Sequence, residues 1–255
     1  RNFFIYSPQN IDRWYIIPWD IDGMLRRTEY QLVGRIDYEA WESGVSNYWG
    51  NVLFQRCLKS EAYRKALDDA MQDLKSVLSP ELVNSYTESY AKLLKPYVFS
   101  SRDLTYAPLT KTEYDVVVNG INDEIADNYK RYQESLKKPM PFYIGVPQQK
   151  EDGYVVEWES SYDFKGEDIT YTFELSQDYN FNQTIVKETG FSIPTMQFSK
   201  LPAGQYFIRV TAQNESGEMQ HAFDCYRLEL GKVYGTKSFF VDKEGKIAED
   251  MYVEE

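Results

Sequence analysis

Residues 14–23, WYIIPWDIDG, place two carboxylates directly behind an apolar and aromatic run. The run favours a β-strand, and Asp20 and Asp22 stand at alternate positions ahead of Gly23, a residue typical of turns. Carboxylate oxygens are the ligands that hard cations such as Mg²⁺ prefer, and a strand end can hold them rigidly. The same Asp-x-Asp pattern also occurs in ordinary turns and helix caps, so the pattern alone leaves both interpretations open.

The segments on either side complete a predicted hairpin and a long connection. Residues 2–6, NFFIY, form the first arm, residues 7–10 contain the turn formers, and residues 13–19 form the second arm. Residues 23–46 show no clear period and carry three glycines, which predicts a long, partly ordered segment that crosses a surface.

A helical period begins near residue 47 and continues for about ninety residues. It predicts one amphipathic helix over residues 61–79. Ser79 followed by Pro80 predicts a new helix that runs to about Leu94, where Pro96 is expected to end it.

The capping box formed by Thr110 and Glu113 predicts a third helix that continues without a break to about Lys138. Residues 139–145 contain two prolines, and the pattern afterwards changes to period two, so we predict a linker and a domain boundary there. Alternating apolar residues then predict strands, most clearly at residues 154–159, 169–175 and 206–212, and strands at this spacing suggest a sandwich.

Residues 142–242 resemble a fibronectin type III module. The resemblance rests on Trp158 in an early strand, on Tyr206 in the approach LPAGQY to a strand, and on the turn at residues 214–217. A tryptophan of this kind buries a large area between two sheets, and a tyrosine at a sheet corner can bury its ring while its hydroxyl finds a backbone acceptor.

The first half resembles the CotH (spore-coat protein H) kinase family. Asn2 before an aromatic strand, followed by the Pro-Trp-Asp-x-Asp motif of residues 18–22, matches the family's pattern, and the helical residues 47–138 fit the helical C-lobe that follows in that family. The resemblance implies that Asp20 binds Mg²⁺, that Asn2 binds the second metal ion, and that Asp22 is a supporting ligand or a structural acid.

Kinase catalysis positions ATP and neutralises phosphate charge, and it needs several parts at once. If Asn2 is the catalytic-loop asparagine, the kinase spacing places the base aspartate a few residues upstream of Arg1, with the glycine-rich loop and the ATP-pairing lysine further upstream. We therefore expect ATP with Mg²⁺ or Mn²⁺ to be used by a full-length parent, and we expect these 255 residues alone to be inactive.

Other function classes find no support in the sequence. The net charge is −12 and neither half carries a cluster of Lys and Arg, which excludes a nucleic-acid binder. There is no Gly-x-Ser-x-Gly, Walker or Gly-x-Gly-x-x-Gly motif, and His221, the only histidine, is interpreted as a structural residue. The longest apolar run, residues 14–19, is too short to cross a membrane.

The sequence thus predicts an α+β chain of two domains. Residues 1–140 form a kinase C-lobe-like domain with an N-terminal hairpin, and residues 141–255 form an all-β fibronectin type III-like sandwich. The predicted function is that of an extracytoplasmic, CotH-type atypical protein kinase acting on a protein substrate, with a lipid anchor possible upstream. The alternative is a non-enzymatic cell-surface adhesion or binding protein that uses the kinase-like part as a scaffold and binds a cell-surface ligand.

Overall fold

The computed structural model describes residues 3–19, 45, 48, 51–107, 109–229 and 231–249 of the chain. Its contacts form two compact units: the first comprises Arg1–Glu29 and Val77–Asn128, and the second comprises Tyr30–Ser76 and Tyr129–Glu255. The two domains predicted from the sequence, divided at residue 140, stay a prediction.

Helices occupy the middle of the chain. Among the described residues they are α1 Val52–Leu58, α2 Glu61–Val77, α3 Pro80–Val98, α4 Lys111–Asn119 and α5 Ile121–Ser135, with a short 3₁₀ turn at Leu104–Tyr106. None of these described helices combines the length and the apolar character that a membrane span requires.

The start of α3 is as predicted, but its end is not. The Ser79 hydroxyl accepts a hydrogen bond from the Leu82 amide at 3.3 Å, and Pro80 occupies the first turn. The helix continues past Pro96 to Val98, so the prediction that Pro96 ends it was wrong. Because Pro96 lies in the last turn, the hydrogen bond that its missing N–H removes disturbs only the end of the helix.

The third predicted helix is divided in two. The capping box is present, with the Thr110 amide donating to Glu113 at 2.7 Å and the Glu113 amide donating to the Thr110 hydroxyl at 3.3 Å. Gly120 separates α4 from α5 and donates its N–H to the carbonyls of both Val116 and Val117. Glycine is a weak helix former, and here it interrupts a helix that the periodicity predicted as continuous.

Strands form the two ends of the described chain. In order they are β1 Phe3–Tyr6, β2 Tyr15–Pro18, β3 Gln148–Lys150, β4 Gly153–Glu157, β5 Ile169–Ser176, β6 Thr184–Phe191, β7 Thr195–Ser199, β8 Gly204–Asn214, β9 Met219–His221, β10 Cys225–Leu228, β11 Gly231–Tyr234, β12 Thr236–Val241 and β13 Ile247–Glu249. Helices and antiparallel sheets occur together, which confirms the α+β class.

The β-rich part contains two main sheets. One is three-stranded in the order β3-β4-β7, and the other is six-stranded in the order β13-β12-β8-β5-β6, with β9 paired to β8. A separate hairpin pairs β10 with β11. Strand β6 is therefore an edge of the large sheet, and β7 is an edge of the small one.

Both sheets contribute to one hydrophobic core. Phe173 of β5 stacks on Phe198 of β7 with ring centroids 6.0 Å apart, and on Trp158 at 6.1 Å. Trp158 is 5% exposed and Phe173 is fully buried. Each buried ring stabilises the fold by about 25 cal/mol per Å² of apolar area that it removes from water.

A second buried cluster joins helical residues to the β-rich part within the second unit. Val45, Leu58, Met140 and Phe223 form it, and the Arg64 guanidinium lies 4.7 Å from the ring centroid of Phe164. Most of the segment predicted as a linker is buried: residues 139–142 and Ile144 are all buried, and Met140, Phe142 and Ile144 are 1%, 1% and 2% exposed. The segment packs as part of the second unit's core.

Candidate functional site

The hairpin predicted from residues 2–19 is confirmed over its described strands. β1 and β2 pair in the antiparallel sense, with Phe3 opposite Pro18 at the open end and Tyr6 opposite Tyr15 next to the turn. Aromatic and β-branched residues fit a pleated strand, and residues 7–10 provide the turn formers between the arms.

Aromatic contacts join the two strands of the hairpin. The rings of Phe4 and Trp19 stack with centroids 5.8 Å apart and planes 19° apart, and Tyr6 lies 6.5 Å from Tyr15. Diagonal and directly opposite pairs of this type stabilise a two-stranded sheet. The stack also orients Trp19, the residue that directly precedes Asp20 in the sequence.

The hairpin displays its apolar side chains to solvent. Trp14 is 72% exposed and Phe4 is 62% exposed, and the other exposed members are Ile5, Tyr6, Tyr15, Ile16, Ile17 and Trp19. Exposed apolar patches that are contiguous usually mark sites where a ligand or a partner binds. These exposed side chains are spread along both strands of the hairpin, from Trp14 next to the turn to Phe4 and Trp19 near the open end.

The three predicted metal ligands, Asn2, Asp20 and Asp22, lie outside the residues that the structure describes. In the sequence, Asn2 directly precedes Phe3, and Asp20 follows Pro18 by two positions. Their roles stay a prediction. Within the described ranges, no group of three or more His, Cys, Asp or Glu side chains could hold a metal ion.

His221 has a structural environment, as predicted. Its Nδ1 lies 2.9 Å from the Thr211 hydroxyl oxygen on the neighbouring strand. Gly235, at φ +73°, packs so closely that a Cβ there would lie 2.7 Å from the Cβ of His221. The histidine is thus fixed between β8 and the turn before β12.

Glu174 and Asp224 are acidic residues of the β-rich part whose pKa values are perturbed. Burial raises the pKa of Glu174, but hydrogen bonds from Arg209 at 2.8 Å and Lys187 at 3.1 Å outweigh this effect, and the net pKa is lowered. For Asp224, burial dominates and raises the pKa, although Lys237 lies 3.3 Å away and the Ile144 amide donates to it at 2.7 Å.

Both acids connect separate segments of the β-rich part. Glu174 bridges β8 and β6, and Asp224 connects the segment around Ile144 to β12. Sequence reasoning missed them. The only signal for Glu174 was a charge at a position of β5 that alternates with the core residues Phe173 and Leu175.

Comparison with known proteins identifies one family. The model of the family described as CotH kinase protein matches residues 1–132. Among solved structures, the twitchin kinase region from C. elegans (Fn31-NL-kin-CRD-Ig26) is similar, with 20% identity and a TM-score of 0.28 over 44% of this chain. The match spans 19% of that twitchin chain. No curated protein matches this chain.

Proposed function

The chain belongs to the CotH kinase protein family, and from that premise we propose that it carries the metal-binding part of a site for ATP-dependent phosphoryl transfer. In this proposal Asp20 and Asn2 hold Mg²⁺ or Mn²⁺, and Asp22 is a supporting ligand. The observation that carries the proposal is the register of the hairpin, which pairs Phe3 with Pro18.

The register brings the described ends of both arms together at the pair of Phe3 and Pro18. Paired Cα atoms in an antiparallel sheet are about 4.5–5.5 Å apart, and neighbouring Cα atoms along a chain are about 3.8 Å apart. Asn2 and Asp20 are one and two positions away from the pair formed by Phe3 and Pro18. Both residues are thus within two positions of one paired site in the sequence, and this closeness is the basis for proposing that they share one ion.

The donor set fits the proposed metal. Mg²⁺ is usually held by one or two carboxylates together with substrate phosphates, and amide and carboxylate oxygens are hard ligands of the kind it prefers. When bound with ATP, the metal would neutralise charge on the phosphates. The chain's own contribution would be the two oxygen donors, Asn2 and Asp20, which directly flank the described hairpin residues 3–19 in the sequence.

We further propose that residues 141–255 form a fibronectin type III-like module that binds or spaces, and that residues 1–140 form the kinase-like domain. Two observations support the module. The Tyr206 hydroxyl donates a hydrogen bond to the Pro202 carbonyl at 2.9 Å, and Trp158 is buried in the core to which both sheets contribute. A module of this kind favours an extracytoplasmic protein with a protein substrate or a cell-surface ligand as its partner.

A thermal-shift experiment tests the metal site. The chain is melted with and without millimolar MgCl₂ and ATP, alone and together, beside Asp20→Ala, Asn2→Ala and the control Asp12→Ala in the hairpin turn. A ligand at one hundred times its Kd stabilises its binder by about 2.7 kcal/mol. We expect MgATP to raise the Tm of the unsubstituted chain and of Asp12→Ala, and to change the Tm of Asp20→Ala and Asn2→Ala very little.

The same experiment separates the two function classes. A shift with MgATP that survives Asp20→Ala would overturn the proposed ligands. The scaffold and adhesion alternative is favoured if a full-length version shows no thermal shift with Mg²⁺ or Mn²⁺ and ATP, and if Asp20→Ala changes nothing in that version. The expectation that the 255 residues alone do not transfer phosphate is measured separately, with γ-labelled ATP and a generic protein acceptor.

A further inference from the structure

A groove of about 650 Å³ lies between β6 and β7. Each of these strands is an edge, β6 of the six-stranded sheet and β7 of the three-stranded sheet. The groove therefore opens along the side of the β-rich part, where the two sheets are not joined by a shared strand in the described chain.

The floor of the groove is apolar. Val186 and Phe191 of β6, Met196 of β7 and Leu201 are partly buried and pack on the main core, and Phe198 belongs to that core. These side chains line the groove, so part of the core's apolar surface is accessible there. Covering this apolar surface would make the binding free energy of an occupant more favourable.

Backbone groups along the groove are also available. Among the described strands, β6 pairs only with β5 and β7 pairs only with β4, so one side of each strand has no ladder partner. An open edge is a template for an added strand, and extended peptides bind sheet edges in this way. β6 has eight residues and β7 has five, so β6 is the longer template.

The charges of the groove and of the β-rich part indicate which kind of peptide the groove would bind. Two charged side chains, Glu188 and Lys200, line the groove, so the lining itself carries no net charge. Glu188 lies opposite the core residue Phe173 in the register, so its side chain shares the core-facing side of β6. Its neighbour Lys187 pairs with Glu174, whereas in the described chain Glu188 forms no ion pair. Residues 141–255 carry 20 acidic and 10 basic side chains, which favours a cationic occupant.

We propose that this groove binds an extended, basic peptide segment of a partner protein by strand addition to β6. Alternate side chains of the segment cover the apolar floor, and a Lys or Arg lies beside Glu188. The site is separate from the proposed phosphoryl-transfer site, and it uses only residues of the second unit.

Fluorescence anisotropy with synthetic peptides tests the proposal on the full chain. The probes are labelled eight-residue peptides that alternate Val with Lys or Val with Glu, and two Val-Lys peptides that are N-methylated at either set of alternate residues. We expect the Val-Lys peptide to bind at least tenfold more tightly than the Val-Glu peptide. One N-methylated peptide should lose at least tenfold in affinity, because N-methylation removes backbone donors but keeps the side chains.

Two substitutions locate the binding. Glu188→Lys should weaken the Val-Lys peptide and strengthen the Val-Glu peptide, each by at least fivefold. The control Glu244→Lys changes the net charge equally in the β12–β13 turn, at the opposite edge of the six-stranded sheet, and should change neither affinity by more than twofold. Thermal melts followed by circular dichroism verify that both variants fold.

Four results would overturn the proposal. The first is that the Val-Lys peptide does not bind. The second is that both N-methylated peptides bind with the same affinity as the unmethylated Val-Lys peptide. The third is that Glu188→Lys and Glu244→Lys change the peptide affinities equally. The fourth is a dimer in light scattering that Glu188→Lys dissociates, because a second copy of the chain would then be the occupant.

Discussion

The Tyr206 hydroxyl donates a hydrogen bond to the carbonyl oxygen of Pro202, four residues earlier in the chain, at a distance of 2.9 Å. The ring of Tyr206 is 1% exposed and stacks on Phe239 with centroids 5.7 Å apart. One residue thus fixes the approach to β8 and fills the core beneath it.

Removing that hydroxyl should destabilise the chain without disturbing the packing. We predict that Tyr206→Phe lowers the free energy of unfolding by about 1 kcal/mol, because the Pro202 carbonyl loses its donor while the ring stays in place. Urea denaturation followed by tryptophan fluorescence measures the change. Tyr90→Phe, at an exposed tyrosine of α3, is the control and should cost less than about 0.5 kcal/mol. Equal effects of the two substitutions would contradict the role of the corner hydrogen bond.

The ion pairs of Glu174 predict a pH-dependent stability. Because the folded-state pKa of Glu174 is below its ordinary value of 4.5, its contribution is present above that value and is lost as the pH falls through the lowered pKa. We expect Glu174→Gln to cost about 1–2 kcal/mol at pH 7 and progressively less at acidic pH. Denaturation curves between pH 3 and pH 7 measure the difference. The exposed Glu215→Gln is the control, and a Glu174→Gln effect that does not change with pH would disprove the assignment.

Alkaline pH should lower the stability of the chain through the raised pKa of Tyr132. Burial, followed by the nearby charge of Asp68, raises the pKa of Tyr132 from 10.0 to about 12. Between these values the unfolded chain loses a proton that the folded chain keeps, so stability falls as the pH rises. We predict that, above pH 10, the free energy of unfolding falls more steeply with pH for the unsubstituted chain than for Tyr132→Phe. Denaturation at pH 8 to pH 11 tests this, with Tyr86→Phe as the exposed control, and parallel curves for all three proteins would contradict it.

Two glycines with the same backbone conformation should differ in their tolerance of a side chain. Gly235 and Gly166 have φ +73° and φ +79°, but a Cβ at Gly235 would meet the Cβ of His221 at 2.7 Å, whereas a Cβ at Gly166 meets nothing within 4 Å. Alanine in the left-handed region costs about 1–2 kcal/mol at either position. We predict that Gly235→Ala costs at least about 1 kcal/mol more than Gly166→Ala, measured by urea denaturation, because overpacking adds to the strain. Equal costs would show that the turn before β12 can move away from His221.

Sequence patterns predicted the elements whose signals are local. The cap at Ser79, the box of Thr110 and Glu113, and the strands β5 and β8 were each predicted from residues close together in the chain, and all are present. The two helix errors, at Pro96 and Gly120, came from residues whose effect depends on their place in the helix and on the packing around it.

The parts that were not predicted depend on contacts between distant residues. β6 lacks clean alternation because it is an edge strand with two register irregularities and with Gly190 at φ +78°. The groove beside Glu188 exists only because β6 and β7 belong to different sheets. The metal ligands were predicted from a motif, and its geometric support is the single pair of Phe3 and Pro18.

The most direct test of the central claim is a titration of the chain with Mn²⁺, in the presence of a nonhydrolysable ATP analogue, followed by electron paramagnetic resonance. The parent chain and Asp12→Ala should reduce the free Mn²⁺–nucleotide signal to the same extent. Asp20→Ala and Asn2→Ala should each bind at least tenfold more weakly, because an oxygen ligand is lost. The account would be contradicted if Asp20→Ala bound Mn²⁺ as tightly as the unsubstituted chain, or if the unsubstituted chain did not bind Mn²⁺ at all.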